Sequence, residues 1–246
     1  MERSFADIEA RFADVSDNYA RIMENIALAA QKTGREASDI EFVAVTKTVP
    51  VEIINHAISL GVTHIGENRV QELASKYDDL AKDNLTVSVI GHLQTNKVKQ
   101  AMPMTHMIQS VDSERLALEI SRRAQEAGKT VECLIEVNIG EELSKSGIGF
   151  EEAEELVFKT GELPGIKVSG LMVIPPFDEK IEKTRRYFEK IHKLFIDIGA
   201  KNYDNKNIVM KYLSMGMSSD YSEAILDGSN MVRVGSALFG RRNYTI

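Results

Sequence analysis

The feature that most constrains the fold is a series of eight short apolar runs: EFVAVTK, VTHIGEN, TVSVIGHL, MIQSVD, VECLIEVNI, IKVSGLMVI, KYLSMG and MVRVGSALFG. Most are apolar nearly throughout, the mark of strands buried on both faces, and parallel sheets with crossover helices bury strands in that way. Charged segments with helical periodicity lie between them: Val51 to Leu60, Arg69 to Ala81, Ser113 to Gly128, Phe150 to Thr160, Glu179 to Ile198 and Ser219 to Gly228. Roughly eight strand-plus-helix units in about 210 residues predict a (β/α)8 TIM barrel. A doubly wound open sheet is the alternative. Short, even spacing and the lack of a G-x-G-x-x-G turn after the first run favour the barrel.

Ahead of the first run, Phe5, Ile8, Phe12, Val15, Tyr19, Ile22 and Ile26 recur every three or four residues and predict a helix, with Gly34 as its stop. The expected organisation is one domain over residues 1–246, an N-terminal helix in 1–35 and the barrel in 41–240, with no linker or low-complexity tract between.

Charge excludes some functions. The formal net charge is −7 and the pI is near 5.4, so the basic excess that attracts nucleic acid or anionic membrane surfaces is missing. MERSFADIEARF has no apolar signal region and no later run is long enough to cross a bilayer, which predicts a soluble cytoplasmic protein. Cys133 is the only cysteine, so an intramolecular disulfide is impossible and the residue reads as a small buried hydrophobe. His56, His64, His92, His106 and His192 have no metal-site spacing, and no metal is expected.

Barrels place function at the C-terminal ends of their strands. Polar and glycine residues gather there: Lys47 after the first run; Gly66, Glu67 and Asn68 after the second; Gly91 and His92 after the third; Asn138 and the loop EELSKSG after the fifth; Ser214 to Ser218 after the seventh; Arg233, Gly235 and Ser236 in the eighth. The loops after the last two strands commonly hold a phosphate through backbone N–H groups and hydroxyls. Ser214, Gly235 and Ser236 have the chemistry for that. A lysine at the end of a buried strand is either solvated at the rim or used for its amine; desolvation and nearby cations lower its pKa from about 10.4 and allow condensation with an aldehyde. Lys47 facing a phosphate pocket therefore points to a phosphorylated aldehyde. Arg233, between Met231, Val232 and Val234, requires a partner: either a pyridine ring nitrogen or a strand-end acid such as Glu67.

The segments FVAVTKTVP, HIGENRVQE, IGHLQTNK, SKSG, GLMVIPP and LSMGMSSDYSEAILDGSNMVRVGSALFG, spread from Glu41 to Gly240, resemble the pyridoxal phosphate homeostasis proteins of the YggS/PROSC type. These are similar to the N-terminal barrel domain of alanine racemase standing alone. The resemblance implies pyridoxal 5′-phosphate as cofactor, held as an aldimine on Lys47. It further implies Asn68 near the ring substituents, Arg233 opposite the pyridine nitrogen, and Ser214, Gly235 and Ser236 on the phosphate. His92 would lie close to the cofactor, unless it merely caps its loop, and Met217 would pack at the phosphate end.

Three activities use such a site. The leading one is a non-catalytic carrier that keeps free aldehyde low and supplies apo-enzymes. A racemase needs bases on both faces of the substrate carbon, and Lys47 provides one. The resemblance places the second base on a C-terminal domain for which six residues after Gly240 leave no room. A Schiff-base aldolase would use the lysine and the phosphate site without a pyridine. Without that partner domain, a monomer is expected.

Overall fold

The computed structural model describes residues 5–140, 142, 146–176, 180–201 and 205–240. Eight parallel strands close a barrel: β1 (Glu41–Val45), β2 (His64–Glu67), β3 (Thr86–Val89), β4 (Met107–Val111), β5 (Val131–Asn138), β7 (Ile166–Val173), β8 (Ile208–Ser214) and β9 (Met231–Val234). Each strand pairs with its neighbours in chain order, and β1 closes the ring against β9 with Val43 beside Arg233. The two-residue β6 (Ile148–Gly149) adds to β5 outside the ring. The crossovers are α2 (Val51–Ser59), α3 (Val70–Lys76), α4 (Val98–Ala101), α5 (Glu114–Glu126), α6 (Ala153–Gly161), α7 (Ile181–Ala200) and α8 (Tyr221–Leu226). Among the described residues, no helix is long and apolar enough to cross a membrane.

Side-chain alternation along each strand divides the core in two. Phe42, Ala44, Val232 and Val234 point outward, into a layer completed by Ile53 and Ile54 of α2, Leu116 and Ile120 of α5, Phe188 and Ile191 of α7, and Ile225 of α8. Val43, Met107, Leu134, Met172 and Met231 point inward and form a separate apolar cluster within the barrel. Cys133 lies in the outer layer, fully buried, and burial pushes its thiol well above the usual range. Both faces of most strands are dry, which explains why most runs read as apolar; β8 is the exception, with Val209 and Lys211 exposed.

Register shifts break that regularity in the β4–β5, β5–β7 and β7–β8 pairings. Cys133 pairs with Val168 but Leu134 pairs with Gly170, so Ser169 is an extra residue in β7 and makes a bulge. Gly170 has φ +146°, and a Cβ there would lie 1.8 Å from the Tyr212 carbonyl oxygen. Only glycine fits both the conformation and the space.

The helix α1 (Phe5–Lys32) ends where Gly34, at φ +72°, turns the chain. Val15, Ile22, Ile26 and Ala30 bury its inner face, and Asn18 Nδ2 donates to the Leu238 carbonyl at 3.1 Å. Two of the boundary shifts bear on the site. The last run, MVRVGSALFG, is strand only through Val234, and its second half is the helical turn α9 (Ser236–Phe239). β1 ends at Val45, so Lys47 stands in the turn beyond it rather than at the strand's last position.

Candidate functional site

The parallel pairings put the C-terminal ends of all eight barrel strands on one rim, and with them Lys47, Asn68, His92, Met217, Gly235 and Ser236. Lys47 is half-buried in a turn closed by Val49 N–H donating to the Thr46 carbonyl at 3.0 Å. The next residue, Thr48, has φ +64°, a strained conformation for a β-branched residue that surrounding structure must enforce. A carboxylate cluster does so. Glu72 accepts the Thr48 N–H, Glu67 Oε1 accepts from Thr46 Oγ1 at 2.9 Å, and Lys76 Nζ donates to Glu67, Glu72 and the Thr46 carbonyl at 2.8, 2.7 and 2.9 Å. Burial pushes the Glu67 carboxyl up against the pull of Lys76. Burial also acts upward on Glu72, but hydrogen bonds from Lys76 and Thr48 outweigh it and hold that carboxyl below its usual range. Sequence reading assigned Glu72 and Lys76 no role; α3 brings them under the lysine turn.

That clamp corrects one expectation. Glu67 was the acid offered as an alternative partner for Arg233, yet its side chain points out of the barrel toward α3 and pairs with Lys76. Arg233 points in. It is buried, and its Nη1 donates to Ser214 Oγ at 2.6 Å and its Nη2 to the Val173 carbonyl at 3.0 Å. Burial lowers the guanidinium pKa to about 10, while Glu136 and Asp220 act to raise it, so it remains a cation at neutral pH. Ser214 is fully buried beside it, also donating to Gln109 Oε1 at 2.8 Å, so its hydroxyl faces the barrel interior rather than the loop beyond the strand.

The acceptor at the junction of the last two loops is instead Ser218, which sequence reading left without a role. Its Oγ accepts the backbone N–H of Gly235 at 3.2 Å and of Ala237 at 3.1 Å. Gly216 turns the chain toward it at φ +92°, where a Cβ would meet Ala224 Cβ at 2.5 Å. Two backbone N–H groups thus converge on a single oxygen, the donor arrangement that binds a phosphate oxygen in anion nests. Gly235 is buried, whereas Ser236 and Met217 are exposed at the rim beside it.

Asn68, half-buried at the end of β2, donates its N–H to Glu67 Oε2 at 3.2 Å. His92 is 56% exposed, its Nδ1 3.0 Å from Asp112 Oδ2 at the end of β4. Further in, Glu136 is buried: Ser146 Oγ donates to its Oε1 at 2.8 Å, and Oε2 has no hydrogen-bond partner among the described residues. Burial pushes this carboxyl up, and nearby Asp112 adds to the effect. Part of the loop EELSKSG, residues 141 and 143–145, lies outside the described residues. Among the described residues, no three His, Cys, Asp or Glu side chains group as a metal site.

A half-buried amine in a clamped turn, a buried cation inside the barrel and an oxygen-binding junction share this rim. The residues present suit a phosphorylated pyridine aldehyde: an amine for the aldehyde, an N–H nest for the phosphate, and a cation able to donate to a ring nitrogen.

Fold and rim together define a closed parallel (β/α)8 barrel with its site on the C-terminal face. The chain belongs to the family described as "Alanine racemase, N-terminal domain", matched over residues 18–243, and within it to the pyridoxal phosphate homeostasis proteins. The pyridoxal phosphate homeostasis protein of Aquifex aeolicus is 42% identical over 219 residues, 89% of this chain and 94% of the relative. Its counterpart from Escherichia coli K12 is 35% identical over 224 residues, 89% and 93% of the two chains. Among solved structures, PipY of Synechococcus elongatus with PLP bound superposes with a TM-score of 0.79 at 29% identity, covering 92% of this chain and all 100% of that one.

Proposed function

We propose that this chain binds pyridoxal 5′-phosphate covalently through Lys47 and carries it, holding free aldehyde low and releasing cofactor to apo-enzymes, as a cytoplasmic monomer. The observation that carries this reading is the shared rim: Lys47 in its clamped turn, the Ser218 junction with Gly235 and Ala237, and Arg233 beneath them. The PLP-bound structure of PipY and the names of the curated relatives support it. When bound, the cofactor supplies an aldehyde that condenses with a primary amine to give a visible chromophore.

The chain's own residues divide the work. Lys47 offers the amine. Thr46, Glu67, Glu72 and Lys76 hold the backbone that presents it, and the Gly235 and Ala237 N–H groups, exchanging Ser218 Oγ for a phosphate oxygen, bind the phosphate with Ser236 beside them. Asn68 and His92 border the ring from the ends of β2 and β3, and Met217 covers the phosphate end. Arg233 donates to the ring nitrogen and keeps it unprotonated, because a guanidinium has no acceptor to offer.

That last contact also favours the carrier over the racemase. Carbanion chemistry draws on a protonated ring as electron sink, and a cationic donor at the nitrogen weakens that sink. The test has two parts. Purified protein mixed with pyridoxal 5′-phosphate develops an absorption band at the blue edge of the visible range, which borohydride converts to a stable adduct on the Lys47 peptide. Incubated with alanine in deuterium oxide, the loaded protein leaves the α-proton in place; rapid exchange favours the racemase.

A further inference from the structure

A single line of buried polar side chains crosses the interior of the barrel. It begins at Arg233 Nη1 and passes to Ser214 Oγ at 2.6 Å, from Ser214 to Gln109 Oε1 at 2.8 Å, and from Gln109 Nε2 to Ser88 Oγ at 3.3 Å. From Ser88 it runs to His64 Nε2 at 2.6 Å, and His64 Nδ1 lies 2.8 Å from Glu41 Oε1. Ser88, Gln109 and Ser214 have no solvent exposure, and His64 has 2%. Glu41 is the first residue of β1 and 34% exposed, so the line ends at the rim opposite the site.

The donors all point one way. Ser88 accepts from Gln109, and in the His64 tautomer that carries its proton on Nδ1, facing Glu41, the Ser88 hydroxyl donates to Nε2. Each group donates to the next, from a guanidinium at one end to a carboxylate at the other. Buried polar groups polarise one another in a low dielectric, and leaving any one unpaired is costly, so the line is satisfied in one orientation throughout. It also runs through a space that barrels ordinarily fill with branched apolar side chains.

We propose that this line is a positioning device for Arg233, and that Gln109, whose side-chain hydrogen bonds among the described residues run to Ser214 and Ser88, sets the aim of the guanidinium at the ring nitrogen. The inference rests on the pyridoxal phosphate reading. It implies that Gln109 affects cofactor binding only through that nitrogen.

The experiment compares two ligands on the full chain: pyridoxal 5′-phosphate, and 1-deazapyridoxal 5′-phosphate, in which C–H replaces the ring nitrogen. Gln109→Met keeps length and flexibility but removes both hydrogen bonds. Affinity for pyridoxal 5′-phosphate falls roughly five- to tenfold, the effect of about one hydrogen bond, with a displaced visible band. Affinity for the deaza compound stays within about twofold, since the missing nitrogen has no bond to lose. Ser88→Ala, a smaller deletion one step further along, gives the same selectivity with a smaller loss and serves if the first variant does not fold. Equal weakening of both ligands would mean that Gln109 is merely structural, and no weakening of either would mean that the line does not reach Arg233; each overturns the inference. A wild-type chain that takes up neither ligand overturns the cofactor reading as well.

Discussion

Lys76 Nζ lies 2.8 Å from Glu67 Oε1, and that carboxylate is only 1% exposed. The same ammonium holds Glu72 and the Thr46 carbonyl, so one side chain ties α3 to the turn that carries Lys47. Removing one partner of a buried pair strands the other, which costs far more than the pair itself contributes.

Lys76→Met should therefore destabilise the protein by about 3–5 kcal/mol. The loss depends on pH with a defined sign. Burial already raises the Glu67 carboxyl, and without Lys76 it rises further. A carboxyl raised in the folded state contributes stability that is complete below its unfolded pKa and disappears as pH climbs through the folded one. Melting temperatures measured across the acid to neutral range should show the variant's deficit growing with pH; a constant deficit would mean that Glu67 is not the stranded group.

Glu136 offers the opposite experiment. Its Oε2 is buried without a hydrogen-bond partner among the described residues, and burial raises its pKa. Glu136→Gln keeps the shape and the contact with Ser146 while removing the charge. By the same linkage the wild type loses stability as pH rises from the ordinary carboxylate range through the raised folded value, and the variant does not. The variant should melt higher at neutral pH, by about 1 kcal/mol of stability, with the difference vanishing in acid.

Gly170 tests the bulge. With φ +146° and the Tyr212 carbonyl 1.8 Å from the position of a Cβ, Gly170→Ala forces β7 away from β8. A cost of about 3 kcal/mol or more is expected, read by denaturant midpoint, and a near-neutral result would show that β7 can close without its extra residue.

The barrel was legible because burial on both faces leaves strands almost uniformly apolar, and because polar residues and glycines must gather where those strands end. Lys47 and Gly235 stood out for that reason. Direction was harder to read. Ser214 and Ser218 have the same hydroxyl in the same short segment, and only the inward facing of Ser214 beside Arg233 gives the loop junction to Ser218. The clamp under Lys47 was hidden as well: Glu67 and Lys76 are nine positions apart, beyond helical spacing, and meet only because α3 folds back over β2. The line from Glu41 to Arg233 joins side chains on six strands, and sequence spacing carries no signal of it before the ring closes.

The central claim is that Lys47 is the amine that takes the cofactor. Mass spectrometry of peptides from protein treated with pyridoxal 5′-phosphate and borohydride tests it most directly, with Lys47→Ala alongside and circular dichroism to verify its fold. The account predicts one phosphopyridoxyl adduct on the Lys47 peptide, and a folded variant with neither adduct nor visible band. An adduct of equal yield in Lys47→Ala, or a wild-type protein modified only elsewhere, would contradict it.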